Sequence, residues 1–229
     1  MTVERPVLVT GGASGLGQAT TSALRAKGFP VWVLDIQQPT EPVEVFEKVD
    51  VADTAAAHET ISRLVDDHGD LGGVFTAAGT DSCGPLDEIP RQAWENVIGV
   101  NLLGTAAVVR AALPSLRRTH GRIVTCASTL GVRVAADASA YCASKFGVVG
   151  FTRALTEELK GEVGVTLLVP GGMHTAFFDG RSERYKPAAD AALLDPGHVA
   201  NAVVLALSQP AGCEIRELVI TSSEEVSWP

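Results

Sequence analysis

The sequence predicts an α/β fold, a doubly wound parallel sheet of about seven strands with helices on both faces, and three observations predict it. Short β-branched runs alternate with longer segments of helical period along the chain, a βαβα order that implies a parallel sheet covered on each side. A glycine-rich turn, "TGGASGLG" from Thr10 to Gly17, stands directly between the first strand and the first helix. In such sheets ligands lie in the crevice at the carboxyl ends of the strands. The 229 residues, 46% hydrophobic, suffice for one full core and leave little for a second, so residues 1–229 are expected to form a single domain.

"PVLVT" supplies the first strand, and the helix after it sets Leu16, Thr20, Ala23 and the stem of Lys27 on one face. "PVWVLD" and "VEVFEKVD" follow as strands; Asp53 then opens a helix with Ile61, Leu64 and Val65 inside, and "GGVFTAAG" is the fourth strand. A long helix runs through Trp94, Val97, Ile98, Asn101, Thr105, Val108 and Ala112. After it come the strand "RIVTC", the helix carrying Tyr141 and the strand "VTLLV". Asp195-Pro196 pairs an N-cap with proline at the first helical position, Val199, Ala202, Val203 and Ala206 form that helix's stripe, and "ELVIT" closes the sheet. There is no internal repeat or linker, and the one long irregular piece is Thr175 to Leu194.

The formal charge of -9 repels phosphate backbones, and no cluster of basic and aromatic residues offsets it, which argues against nucleic acid as a partner. Met1 to Pro6 contains Glu4 and Arg5 in place of an apolar leader, and no uninterrupted apolar run approaches the roughly 20 residues that span a bilayer. A soluble, cytoplasmic protein without a membrane partner is expected. Cys83, Cys126, Cys142 and Cys213 are scattered, with no spacing for a metal, and are expected to be reduced and mostly buried.

The glycine turn suits a pyrophosphate. Gly11 permits a tight turn, Gly15 lets backbone approach the anion, Gly17 allows close helix packing, and free N–H groups at the helix start face the charge. Asp35, at the end of the second strand, can accept hydrogen bonds from both adenosine ribose hydroxyls, whereas a 2′-phosphate would meet its carboxylate. Neither Ser14 nor Ile36 offers a cation against that repulsion, so NAD is expected over NADP. Asp50 and Val51 could border the adenine ring or simply form a helix-capping turn.

"YCASK", Tyr141 to Lys145, puts a phenol one helical turn before an ammonium. A cation within a few ångströms lowers a phenol's pKa from its ordinary value of about 10, so the pair is expected to be a tuned acid. Ser128 follows the strand "RIVTC" at the carboxyl edge, where its hydroxyl can converge with the phenol on one oxygen. Asn101 lies on an apolar helix stripe, where an unpaired amide would cost about 1 to 3 kcal/mol, so it is expected to have a partner.

These residues resemble the short-chain dehydrogenase/reductase family, in its non-extended branch with a Rossmann-type fold. The marks are Thr10-Gly11 with Gly15 and Gly17, Asn101, Ser128, Tyr141 with Lys145, and "PGGMHT" from Pro170 to Thr175, and they cover essentially the whole chain. The resemblance implies an oxidoreductase acting on a secondary alcohol or ketone. In it Tyr141 is the acid/base, Ser128 bonds the substrate oxygen, and Lys145 holds the nicotinamide ribose and lowers the tyrosine pKa. Asn101 holds a water that links Lys145 to solvent, and Thr175 bonds the nicotinamide carboxamide. The resemblance also sets Ser14, Leu16, Ile36, Ala78, Gly79, Pro170 and Gly171 against the cofactor, and implies a homodimer or homotetramer packed through the helices of Asn101 and Tyr141, where Ala106, Ala107, Phe146 and Val149 permit it.

Thr76-Ala77-Ala78-Gly79 departs from the family's N-N-A-G and loses an amide that braces the sheet. Cys142 reads as a packing thiol, and His174 as a bystander. Residues 175–194 are expected to be a short substrate lid, with Phe177 and Phe178 as an apolar wall and Arg181, Arg184 and Lys186 on a solvated surface, or binding an acidic substrate. Two other functions share parts of this pattern. One is a silent cofactor-sensing protein, which would not need the tyrosine acid; the other is a sugar epimerase or dehydratase, for which the chain is short. The sequence names no substrate.

Overall fold

The computed structural model describes residues 5–225 and 228; the expectation of no apolar leader rests largely on residues 1–4, outside the described residues. All seven expected strands form: β1 (Val7–Thr10), β2 (Val31–Asp35), β3 (Val45–Lys48), β4 (Gly73–Thr76), β5 (Arg122–Cys126), β6 (Gly164–Pro170) and β7 (Glu217–Ile220). They pair only in parallel, in the order β3-β2-β1-β4-β5-β6-β7. The order reverses between β1 and β4, and this opens the crevice at their carboxyl ends. β1, β4 and β6 are buried along their whole length, which is why they read as continuous apolar runs.

The helices are α1 (Gly15–Ala26), α2 (Thr54–His68), α3 (Arg91–Ile98), α4 (Thr105–Thr119), α5 (Ser139–Glu158) and α6 (Pro196–Leu207). Asp53 caps α2 by accepting from the Ala56 N–H at 3.0 Å, and Asp195 caps α6 by accepting from the Gly197 N–H at 2.7 Å. One core joins Ile61 and Leu64 of α2 to Val108, Val109, Ala112 and Leu116 of α4 on one face of the sheet; Leu24 of α1 and Val199 and Val203 of α6 build the other. On α1 the inward stripe ends at Leu24, and Lys27 is exposed, because the helix stops at Ala26.

The expected long helix is a continuous helical run over 91–119 whose middle, Gly99–Gly104, widens into a π-helical turn. Trp94 and Ile98 are only half-buried there, and Asn101 sits in the wide turn. By length and a mean hydropathy of 1.6 this run could cross a membrane, but its apolar side packs on the sheet through Val108, Val109, Ala112 and Leu116. Val149 is likewise turned into the core, so of the residues expected at an oligomer contact Phe146 is the exposed one. The cysteines are less buried than expected: Cys142 is buried, Cys83 and Cys126 are half-buried, and Cys213 is exposed.

Candidate active site

At the β1–α1 junction the backbone is shaped for close approach. Gly11 and Gly15 have φ of +68° and +51°, the left-handed region that side chains disfavour. A Cβ on Gly17 would lie 2.0 Å from the Gly11 carbonyl oxygen, and one on Gly11 would lie 2.8 Å from the Ala78 backbone. Thr10 ties this turn to the fourth strand: its hydroxyl accepts from the Ala78 N–H at 3.3 Å, and its carbonyl accepts from the Ala77 N–H at 3.2 Å. Nearby, the buried Thr76 hydroxyl has no partner among the described residues, a local cost at the position where the expected bracing amide is missing.

Asp35 holds the backbone on both sides of the crevice's edge. Its Oδ2 accepts from the Ala13 N–H at 2.9 Å and its Oδ1 accepts from the Gln37 N–H at 2.9 Å, so the carboxylate also fixes the glycine turn. Ser14 and Ile36 are exposed beside it, while Leu16 packs into the core. The strand register sets Lys48 opposite Asp35, a neighbouring cation that sequence adjacency did not reveal. Asp50 is exposed, and its Oδ1 accepts from the Ala52 N–H at 2.9 Å; Val51 is buried against the π turn at Gly104. Val51 is thus a core residue and Asp50 a residue of the turn before α2.

Tyr141 and Lys145 lie one turn apart on α5, with the ammonium 5.6 Å from the centroid of the phenol ring. The ammonium is buried and donates to the Cys126 carbonyl at the end of β5, 2.9 Å away; burial lowers its pKa. The phenol departs from expectation. Burial pushes the Tyr141 pKa up, Cys126 and Asp81 add to the rise, and the Ser128 hydrogen bond and Arg181 pull it back; Lys145 does not reverse it. Desolvation, which disfavours the charged phenolate, is the largest of these influences. Ser128 is half-buried, and its Oγ accepts from the Leu130 N–H at 3.2 Å.

Asn101 is fully partnered. Its Oδ1 accepts from the Thr80 N–H at 2.8 Å, and its Nδ2 donates to the Thr80 carbonyl at 2.9 Å and to Ser144 Oγ at 3.0 Å. Ser144 Oγ donates in turn to the Tyr141 carbonyl at 2.8 Å. The amide thus braces the loop after β4 against α5, with Gly79 exposed beside Lys145 Nζ.

On the other side of the crevice β6 ends at Pro170 and Gly171, both buried. The Leu194 N–H donates to the Gly172 carbonyl at 2.9 Å and the His174 N–H donates to the Leu194 carbonyl at 2.8 Å, which closes the base of the segment 175–193. Thr175 stands over Gly15, 3.5 Å from where a Cβ would be, bringing the two expected cofactor contacts together. Phe177 packs on the Tyr141 ring with centroids 5.7 Å apart, and Phe178 meets Phe177 edge to face with centroids 5.6 Å apart. All three lid cations are paired: Arg181 with Asp81 at 2.5 Å, Arg184 with Asp137 at 3.0 Å, and Lys186 with Glu183 at 2.5 Å. Asp81, Asp137, Thr80 and Ser144 were not singled out from the sequence; only Ser144, inside "YCASK", lay within a motif. Among the described residues no cluster of His, Cys, Asp or Glu is suited to a metal.

The backbone cradle at Gly11, Gly15 and Gly17, with Asp35 at its edge, fits a dinucleotide. Residues 5–186 match the family model described as short chain dehydrogenase. The chain is similar to an uncharacterized oxidoreductase of Staphylococcus aureus (strain MW2), 31% identical over 95% of this chain and 96% of that protein. Two solved structures share the fold. One is the ligand-free aldohexose dehydrogenase of Thermoplasma acidophilum (22% identity, TM-score 0.86, covering 95% of this chain and 92% of that one). The other is an alcohol dehydrogenase from the archaeon Thermococcus sibiricus complexed with 5-hydroxy-NADP (24% identity, TM-score 0.84, covering 97% and 98%).

Proposed function

The chain belongs to the short-chain dehydrogenase family of oxidoreductases, and from that premise we propose that it interconverts a secondary alcohol and a ketone with NAD as the preferred cofactor. One observation carries the reading: the Tyr141 phenol stands beside the buried Lys145 ammonium, itself held by the Cys126 carbonyl at the carboxyl end of β5, and packs against Phe177. Gly11, Gly15, Gly17, Asp35 and Thr175 would hold the cofactor, which when bound supplies or accepts the hydride and in its oxidised form carries a positive ring. Lys145 would meet its ribose. Tyr141 gives a proton to the substrate oxygen in ketone reduction and takes one in alcohol oxidation, while Ser128 donates a hydrogen bond to the same oxygen as charge develops there. Phe177 and Phe178 exclude water from the reacting pair. The exposed Leu103 and Phe146 suit two-fold packing with a second copy.

The direction of the Tyr141 shift gives the test a sign. A phenol held above its ordinary value stays protonated through neutral pH, so ketone reduction should be flat across that range and fall only in alkali. Alcohol oxidation should rise with pH through a lower midpoint, because the oxidised cofactor's charge favours phenolate. The experiment is absorbance of the reduced cofactor against panels of neutral ketones and secondary alcohols across pH. Tyr141→Phe should abolish both directions while cofactor still binds, and Ser128→Ala should lower turnover by roughly a hundredfold. Retention of more than about a few per cent of turnover in Tyr141→Phe would remove it as the acid/base.

A further inference from the structure

Beside the phenol the lid carries a full positive charge that hydride transfer does not use. Arg181 reaches from the lid with its guanidinium carbon 5.3 and 4.6 Å from the ring centroids of Phe177 and Phe178, and Phe177 packs on Tyr141. One of its nitrogens donates to the Tyr185 carbonyl at 3.2 Å, another donates to Asp81 Oδ2 at 2.5 Å, and its buried Nε has no partner among the described residues. Its side chain is 19% exposed, against 72% for Arg184, so it is the lid guanidinium set into the wall. A guanidinium in that position is the group that would recruit a carboxylate, since its fork matches carboxylate geometry.

Asp81 occupies it instead. The Asp81 side chain is only 5% exposed. Its Oδ1 accepts from the Ser82 N–H at 2.7 Å, and its Oδ2 accepts from the Cys83 thiol at 3.1 Å as well as from Arg181. The residue before it, Thr80, is held at both backbone groups by Asn101, so Asp81 stands on a braced loop. A substrate carboxylate that took the Nη held by Asp81 would leave a buried acid without its cation, and that loss opposes the exchange. An uncharged substrate disturbs nothing.

We propose that Asp81 is a specificity-determining residue of this site: by neutralising Arg181 beside Phe177, it reserves the site at Tyr141 for uncharged ketones and alcohols and rejects those that carry a carboxylate. The proposal rests on the reading of Tyr141 as the acid/base, and its test needs no turnover. Acetoacetate and its ethyl ester, a matched charged and neutral pair, are titrated by calorimetry into protein saturated with NAD, where no hydride can move. Asp81→Asn should bind acetoacetate at least about tenfold more tightly than the unsubstituted protein, with the ester changed less than about threefold. Adding Arg181→Met to Asp81→Asn should erase the gain. Absence of the gain, or its survival in the double variant, overturns the proposal. If Asp81→Asn alone fails to fold by thermal unfolding, the double variant, which strands neither charge, decides: a neutralised guanidinium predicts acetoacetate binding within about threefold of the unsubstituted protein, and a loss beyond about tenfold shows that Arg181 already holds carboxylates. Failure to reduce ethyl acetoacetate or any other ketone with NADH would refute hydride transfer and leave the calorimetric result standing on its own.

Discussion

Where the chain leaves β1 it is shaped by backbone sterics over eight residues, and where it leaves β6 it is shaped by side chains that meet across the fold. The glycine turn has two left-handed glycines, a position where even a methyl group collides with a carbonyl, and one carboxylate that braces it. The lid is closed at its base by two backbone hydrogen bonds and beyond them by ion pairs, Arg181 to Asp81 and Arg184 to Asp137, whose partners stand 100 and 47 positions apart. The cofactor side is thus pre-formed and intolerant. The segment after β6 is assembled from contacts whose strength depends on burial, so its individual pairs should differ widely in weight.

The most severe way to break the contrast is Gly17→Ala. Its methyl would sit 2.0 Å from the Gly11 oxygen and 2.6 Å from the Gly11 carbonyl carbon, both backbone atoms, so the turn itself must move. Overpacking of this kind typically costs about 1 to 3 kcal/mol or more. Cofactor affinity should fall by at least about a hundredfold, with a lowered melting temperature. Calorimetry with NAD measures it. Affinity within about threefold would mean that the glycine turn is not the phosphate cradle.

The same contrast explains how much the sequence revealed. The strands along the chain, the glycine turn, the caps at Asp53 and Asp195, and the one-turn spacing of Tyr141 and Lys145 are local patterns, and each stands where its spacing implies. The seven strands were legible because buried parallel strands are unbroken apolar runs. What escaped was long-range: Asn101 on Thr80 and Ser144, Asp81 on Arg181, Asp137 on Arg184, and Lys48 opposite Asp35. A single sequence offers many acids for each arginine and no rule for choosing among them. The Tyr141 shift escaped for a related reason. Spacing brings the ammonium close, but burial raises the phenol's pKa, and Phe177, which packs on its ring, lies 36 positions further along the chain.

A smaller effect is expected at Asp35, where the structure complicates a simple repulsion argument. Asp35→Ala frees the Ala13 N–H as well as removing the ribose acceptor, so both cofactors should bind more weakly. The ratio isolates the charge: a preference for NAD of about tenfold or more should shrink, because the phosphate no longer meets a carboxylate. Lys48→Gln sharpens the point, since loss of the cation on the neighbouring strand should widen the NAD preference. Titration of NAD and NADP into all three proteins is the measurement. Equal dissociation constants in the unsubstituted protein would sink the NAD assignment.

The smallest effect should come from the outer lid, and there the comparison becomes most discriminating. Arg184 is 72% exposed against Asp137, and Lys186 pairs with Glu183, which is 87% exposed, one helical turn away. Exposed ion pairs contribute about 0 to 1 kcal/mol, because solvent screens them and two long side chains must be ordered to form them. Tyr185 also donates to Asp137, at 2.9 Å, so that attachment of the lid survives loss of the arginine. Arg184→Gln with Lys186→Gln should therefore leave KM for a neutral ketone within about threefold and kcat nearly unchanged. Steady-state kinetics at two salt concentrations checks both numbers, since whatever these pairs contribute must fade as salt rises. A steep rise in KM confined to carboxylate substrates would assign the outer cations to anion binding. A rise with neutral substrates would instead show that the lid is held at its rim, and that exposed pairs carry the weight assigned here to the buried pair of Asp81 and Arg181.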